Sequence, residues 1–371
     1  MSVTINGTNG VTYNDGTVQA SAPVGKNKII NGDMRVDQRD GTATINATGV
    51  TYNVDRWLGR GVGSAGVFTL VQDTTSPANF TNSLKATVTT ADSSIASGSS
   101  YRVQQMVEGY NMSDLNWGTS DAQSVTLSFW VRSSVTGTFG GSVANGDFNR
   151  FNVFSYTISS ADTWEYKTVT IAGDTSGTWA TDNTLGLRLN FSLGAGSTLL
   201  ASAGSWGAST KEGVTGQTNV IATNSATFYV TGVQLEAGVN ATDFENLQYG
   251  QQYALCQRYY QKYLNDSGAT GEGFWGTGLQ DSTTSFVGGF VYQTPMRIKP
   301  TAFETSGTAT DYRVQIKGNS SVTCSAVPTV SGMTTWGARL TFTTASGLTA
   351  GEAGIYRSNT TAAYVAWSAE L

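Results

Sequence analysis

The sequence predicts an all-β protein: a large jelly-roll sandwich, one connecting amphipathic helix and a smaller carboxy-terminal β domain. Three observations carry this. Apolar residues recur with a period of two through most of the chain, and the runs are separated by clusters rich in Gly, Asn, Asp and Ser. Charged residues make up only 13% of 371 residues, while glycine contributes 44 and proline only five. Alternation builds half-buried strands, and many short strands with such punctuation build sandwiches and jelly rolls. A hydrophobic fraction of 39% supplies real cores, which argues against disorder.

In chain order, Val11 to Gln19 reads as a small hairpin around Asn14, Asp15 and Gly16, residue types that tolerate the positive φ of a tight turn. A lone hairpin is marginal in water, so something must complete it. Leu84-Ala86-Val88, then Tyr101-Val103-Gln105-Val107, start the alternation. Val125, Leu127, Phe129 and Val131 continue it, with Thr126, Ser128, Trp130 and Arg132 on the opposite face. Leu185, Leu187, Leu189, Phe191 and Leu193 form the cleanest case. After Phe228 and Val230 the apolar phase shifts to Val233 and Leu235, which predicts a β-bulge at Gly232. Tyr249, Tyr253, Cys256, Tyr260 and Tyr263 then recur at intervals of three or four and predict a helix of about four turns. Strands resume at Phe286 to Tyr292, Tyr312 to Lys317, Arg339 to Phe342 and Tyr364 to Trp367. The expected parts are a hairpin segment (1–24), a sandwich (25–246), a connecting helix (247–264) and a distal β domain (265–371).

Composition excludes whole classes of function. The net charge is −5 and no basic stripe exists, so nucleic-acid binding through clustered cations is rejected. No run approaches ~18 apolar residues, and Met1 to Ala20 has neither a basic start nor an apolar core. Neither membrane insertion nor a classical export signal is expected. The chain has no histidine, which removes Ser-His-Asp and Cys-His nucleophile systems and most transition-metal sites. Cys256 and Cys324 read as two separate buried thiols. No cofactor is expected. A structural Ca²⁺ at Asn31-Gly-Asp33 or Asn145-Gly-Asp147 is weighed against tight turns, which explain both better, because neither is a dense acidic loop.

Nine tryptophans and sixteen tyrosines invite sugar stacking. Trp57, Trp130 and Trp164 lie in strand or motif contexts and read as structural. Trp117, Trp206 and Trp275 lie in loop-like, Gly-containing surroundings; with Trp336 they are the candidate glycan contacts. Glu108, Glu165, Glu236, Asp243 and Glu245 lie nearest strand ends and read as ion-paired or turn-capping. A glycosidase needs two carboxyls across a cleft, and the sequence places no such pair.

Several stretches resemble phage tail-fibre and related virion proteins. Gly10-Val-Thr-Tyr-Asn-Asp-Gly-Thr-Val-Gln19 resembles a short element near their start. Lys28-Ile-Ile-Asn-Gly-Asp-Met-Arg-Val36 followed by Asp55-Arg-Trp57 resembles the opening of their jelly roll. Ser128-Phe-Trp-Val-Arg-Ser-Ser134, Gly137-Thr-Phe-Gly-Gly141 and Thr163-Trp-Glu-Tyr-Lys-Thr-Val-Thr-Ile171 resemble its middle. Phe228-Tyr-Val-Thr-Gly-Val-Gln-Leu-Glu236, Ala241-Thr-Asp-Phe-Glu245 and Ala254-Leu-Cys-Gln-Arg-Tyr-Tyr-Gln-Lys262 resemble its end. Thr294-Pro-Met-Arg-Ile-Lys-Pro300 and Ala366-Trp-Ser-Ala-Glu-Leu371 resemble the distal domain. The resemblance implies a carbohydrate-binding-module-like jelly roll, a homotrimer and a place on the virion.

The expected function is therefore a non-catalytic fibre that attaches to host surface glycan. Tyr13, Asn14, Asp15 and Gly16 would contact other virion proteins. Tyr249, Tyr253, Cys256, Tyr260 and Tyr263 would contact the other copies of the trimer. The alternatives are a tailspike-like polysaccharide depolymerase using carboxylates and a capsid-mounted or decoration protein without a host ligand. Against the depolymerase stands the absence of a repeating β-helix spacing.

Overall fold

The computed structural model describes residues 4–6, 10–12, 18–19, 25–63, 65–265 and 273–371. The chain divides into two compact units, Met1–Gln252 with Leu371, and Tyr253–Glu370.

The first unit contains a sandwich of two antiparallel sheets. The six-stranded sheet runs in the order Glu165–Ile171, Val125–Ser133, Thr227–Ala237, Ser83–Thr90, Val67–Asp73 and Ala43–Ile45. The seven-stranded sheet runs Trp206–Gly207, Phe151–Ile158, Gly137–Asn145, Leu185–Ala195, Ser100–Glu108, Trp57–Val62 and Val50–Tyr52. Consecutive hairpins alternate with pairings between distant parts of the chain, such as Val125–Ser133 beside Thr227–Ala237 and Ser100–Glu108 beside Leu185–Ala195, as a jelly roll requires. Leu127, Phe129, Val131, Leu187, Leu189, Phe191 and Trp57 are all fully enclosed between the sheets. The expected bulge is present: the register between the strands around Trp130 and Thr231 shifts after Ser128, and Gly232 sits at φ +60°. That backbone position favours glycine.

Near the amino terminus, Gly10–Thr12 pairs with Val18–Gln19, with Val11 opposite Gln19 and Thr12 opposite Val18. The hairpin is not alone. Thr4–Asn6 adds a third antiparallel strand against Gly10–Thr12. Tyr13, Asn14, Asp15 and Gly16 lie outside the described residues.

The second unit has two further antiparallel sheets. Tyr364–Ser368 is the middle of three strands, flanked by Tyr260–Leu264 and Ala302–Thr305. The other sheet has seven strands, ordered Ser321–Thr323, Tyr312–Gln315, Ala353–Ser358, Phe274–Gln280, Ser285–Val291, Gly337–Thr343 and Thr329–Ser331. Phe286, Phe290, Tyr312, Leu340, Phe342, Tyr356 and Trp367 fill its core.

The helix is shorter than its tyrosine spacing predicts. It spans Tyr249–Gln257, and Tyr260 and Tyr263 belong instead to the strand Tyr260–Leu264. Aromatic residues favour strands, and the carboxy-terminal strand offers that segment a full ladder, from Tyr260 opposite Ser368 to Leu264 opposite Tyr364. Tertiary pairing therefore overrides the helical spacing. Among the described residues, no helix is long and apolar enough to cross a membrane.

Candidate functional site

The outer face of the six-stranded sheet carries a groove of about 730 Å³, within the size range of ligand-binding clefts. Its position follows from strand alternation. Because Leu127, Phe129 and Val131 point into the core, Ser128 and Trp130 must point out. The neighbouring strand is registered so that Tyr166 stands opposite Trp130 and Thr168 opposite Ser128. The Trp130 and Tyr166 rings lie 5.4 Å apart and tilted by 50°. Tyr166 is 45% exposed.

On the other side, the bulge keeps the floor low. A Cβ at Gly232 would stand 2.7 Å from the Phe80 ring and 3.2 Å from Trp130. Phe80 meets Phe244 edge-on at 5.2 Å and forms the far wall. Phe244 belongs to a strap, residues 241–246, that crosses the sheet and is tied down by buried polar groups. The Glu236 carboxylate accepts bonds from the Thr242 backbone N–H (2.9 Å) and hydroxyl (2.6 Å) and from the Gln234 amide (2.8 Å). The Gln234 carbonyl oxygen accepts from the Glu245 N–H at 2.8 Å. Glu245 in turn accepts the backbone N–H groups of Gly25 and Asn27, and Lys26 donates to the Thr242 hydroxyl and the Asp243 carbonyl.

Polar contacts are supplied by Asn79, Ser128, Thr168, Thr242 and Asn246, and the one carboxylate lining the groove is Asp243. No lysine or arginine lines it. A flat aromatic pair beside hydroxyls and amides suits a polyhydroxylated ring: its C–H face stacks on the indole while its hydroxyls find partners. A single carboxylate is half the pair that ordinary glycoside hydrolysis uses.

The structure places the expected contacts differently. Trp117 is buried, and with Trp179 and half-buried Trp206 it makes a three-ring knot with edge-on contacts of 4.6, 5.4 and 5.5 Å. All three indole N–H groups donate to backbone carbonyls, of Gln123, Ser176 and Ala172. Trp117 and Trp206 therefore anchor loops. Trp275 is half-buried with its ring 5.8 Å from Tyr312. Trp336 stands 66% exposed. Trp130, read from sequence as structural, is the aromatic that the fold puts at a groove; its place on the polar face of its strand was the available signal.

Of the residues expected at a trimer contact, Tyr249 is exposed, Tyr253 half-buried, and Cys256 and Tyr260 buried. Tyr263 packs edge-on against Phe290 at 4.5 Å and Trp367 at 5.9 Å. Cys256 and Cys324 are separate buried thiols, and burial pushes that of Cys324 up to about 12. Glu165 caps the Ser159 and Ser160 N–H groups and pairs with Lys167 at 2.7 Å, a turn role like those of Glu236 and Glu245. At the two sites weighed for Ca²⁺, the asparagine oxygens already hold turns. Asn31 Oδ1 accepts from the Val36 N–H, and Asn145 Oδ1 from those of Asn149 and Arg150. Among the described residues, no group of three or more carboxylates or thiols is placed to hold a metal.

No protein-family model matches the chain, and no curated protein matches it. Among solved structures it is similar to the enzymatically active domain of tailspike protein 4 of bacteriophage CBA120, at 12% identity and a TM-score of 0.32, covering 57% of this chain and 22% of that one. It is similar to the CBM22-1 and GH10 modules of endo-1,4-β-D-xylanase 10B from Clostridium thermocellum, at 11% identity and a TM-score of 0.29, covering 56% and 28%. A family 11 carbohydrate-binding module from Clostridium thermocellum, in complex with a mixed-linked tetrasaccharide, aligns at 12% identity and a TM-score of 0.28, covering 54% and 98%. All three likenesses are distant.

Proposed function

We propose that this chain is a non-catalytic phage fibre protein that attaches to host surface glycan through the groove at Trp130 and Tyr166. The observation that carries the glycan reading is that groove: half-buried Trp130 beside exposed Tyr166 on the outer face of a sheet, flanked by neutral hydroxyl and amide groups. The place on a virion rests on the ordered series of sequence motifs from Gly10 to Leu371. A binding role needs no more chemistry than the groove lining holds. Each sugar contact is weak, and a homotrimer would present three grooves, so avidity would hold the host.

The test is retention on host surface polysaccharide. The intact chain is expected to be retained and a Trp130→Ala variant to be released early, while the polysaccharide keeps its size on chromatography. A Trp130→Ala variant retained as long as the parent sinks the groove, and a shortened polysaccharide sinks the non-catalytic reading.

A further inference from the structure

The outer face of the seven-stranded sheet carries chemistry that the groove does not use. Strand register sets Arg60 opposite Arg102, Gln104 opposite Asn190, and Arg188 opposite Met106, so these side chains share the face turned away from the core. The chain between Gly196 and Gln217 folds over this face and delivers one carboxylate, Glu212. It accepts from Arg188 Nη2 at 2.9 Å and Asn190 Nδ2 at 2.8 Å, and lies 3.6 Å from Arg102 Nε. Arg188 and Arg102 thus share one carboxylate, while the charge of Arg60 acts on both of them. Among the described residues, no other carboxylate acts on Arg102 or Arg188.

The imbalance sits where water is scarce. Arg102 and Arg188 are each 3% exposed and Glu212 is 2% exposed. Desolvation drives the Arg102 pKa down to about 10, opposed by Glu212 and reinforced by the charges of Arg188 and Arg60; Arg188 is lowered by the same desolvation. The Phe148 and Phe151 rings, 4.7 and 5.6 Å from the Arg188 guanidinium, offset part of this. Like charges facing one another across a ladder destabilise it, and a buried charge without a partner is expensive.

Unused hydrogen-bonding groups mark the same spot. Among the described residues, Arg188 Nε, Arg60 Nε and Gln104 Nε2 are enclosed donors without a partner, and Asn190 Oδ1 is an enclosed acceptor without one. Gln104 is fully buried and lies on the strand between those that carry Arg188 and Arg60. Excess positive charge and excess donors select the same ligand. We propose that this cluster binds a carboxylate-bearing ligand beneath the 196–217 segment. Arg60, Gln104 and Arg188 donate to the carboxylate, and Asn190 accepts from a ligand hydroxyl. The carboxylate could be borne by a uronic-acid sugar or come from a free small acid.

The experiment uses the full chain, with thermal unfolding and titration calorimetry in galacturonate, acetate or glucose, ionic strength being fixed with sodium chloride. Galacturonate is expected to raise Tm with dose while glucose does not. Arg60→Met removes a guanidinium that makes no hydrogen bond among the described residues, so folding is expected to survive, and it should weaken galacturonate binding about tenfold. Glu212→Gln should tighten it, because the competing carboxylate is gone. Acetate acting as well as galacturonate supports a free acid, and galacturonate acting alone supports a sugar. Neither acting beyond the chloride control, or R60M binding like the parent, overturns the proposal. Trp130→Ala should leave this binding unchanged, so its failure is separable from failure of the groove.

Discussion

Trp130 and Tyr166 touch each other and solvent but not the core, which makes them separable from folding. Replacing either by alanine is expected to leave the unfolding midpoint within about 0.5 kcal/mol of the parent. Glycan affinity should fall about tenfold or more, as the loss of ~1.4 kcal/mol requires; affinity electrophoresis in host polysaccharide reads it. Asp55 behaves oppositely, being fully enclosed. Burial pushes its carboxyl from 3.8 up to about 6, against Arg39 at 3.8 Å and hydrogen bonds from the Gln38 backbone and side chain. The folded state therefore keeps a proton that the unfolded chain releases near pH 4. The contribution of this group to stability is fully present below about pH 4 and declines as pH rises to about 6, by at most ~1.4 kcal/mol per unit. Urea unfolding across that window should show the decline, and Asp55→Asn should flatten it.

Two loop systems show how side chains replace regular structure. The knot of Trp117, Trp179 and Trp206 holds the ends of segments separated by up to about 90 residues, and each indole N–H ends on a backbone carbonyl. Trp117→Ala is expected to cost about 3 to 5 kcal/mol, seen as a shifted urea midpoint and weakened near-ultraviolet dichroism. The strap over the six-stranded sheet depends on Glu236 and Gln234, which are both enclosed. Glu236→Ala leaves buried donors unpaired, a loss of about 1 to 3 kcal/mol, and frees Phe244 from Phe80. Glycan affinity should then fall although no residue lining the groove has changed. Preserved affinity in E236A would show that the far wall contributes nothing.

At the scale of the molecule, the proposals concern assembly. A homotrimer is expected, and light scattering showing a stable monomer at micromolar concentration would refute it. Within one chain, Thr4–Asn6 and Val18–Gln19 both pair with Gly10–Thr12, a sheet built apart from the strands of the two sandwich sheets. Removing residues up to Ser21 should therefore leave the two compact units folded while abolishing incorporation into particles; truncated protein at full occupancy in particles would end the attachment idea.

The sequence by itself determined the β architecture, because a period of two is a local property of each strand. Leu185 to Leu193 and Val125 to Val131 became strands, with the apolar residues Leu187 to Leu193 and Val125 to Val131 in the core, and Gly232 became a bulge. The separate buried thiols and the turn-capping acids were legible for the same reason: residue type and neighbours suffice. Only the tertiary structure decided which aromatics meet solvent. Trp117 and Trp206 looked like loop residues but bury one another, since ring-to-ring contact joins segments that sequence keeps apart. Trp130 looked structural, yet a register with Tyr166 and a bulge across the next strand left it at an open groove. The helix failed at Tyr260 for a like reason: its strand partner, Tyr364–Ser368, lies about a hundred residues further along the chain, and a ladder formed over that distance leaves no periodic trace in either segment.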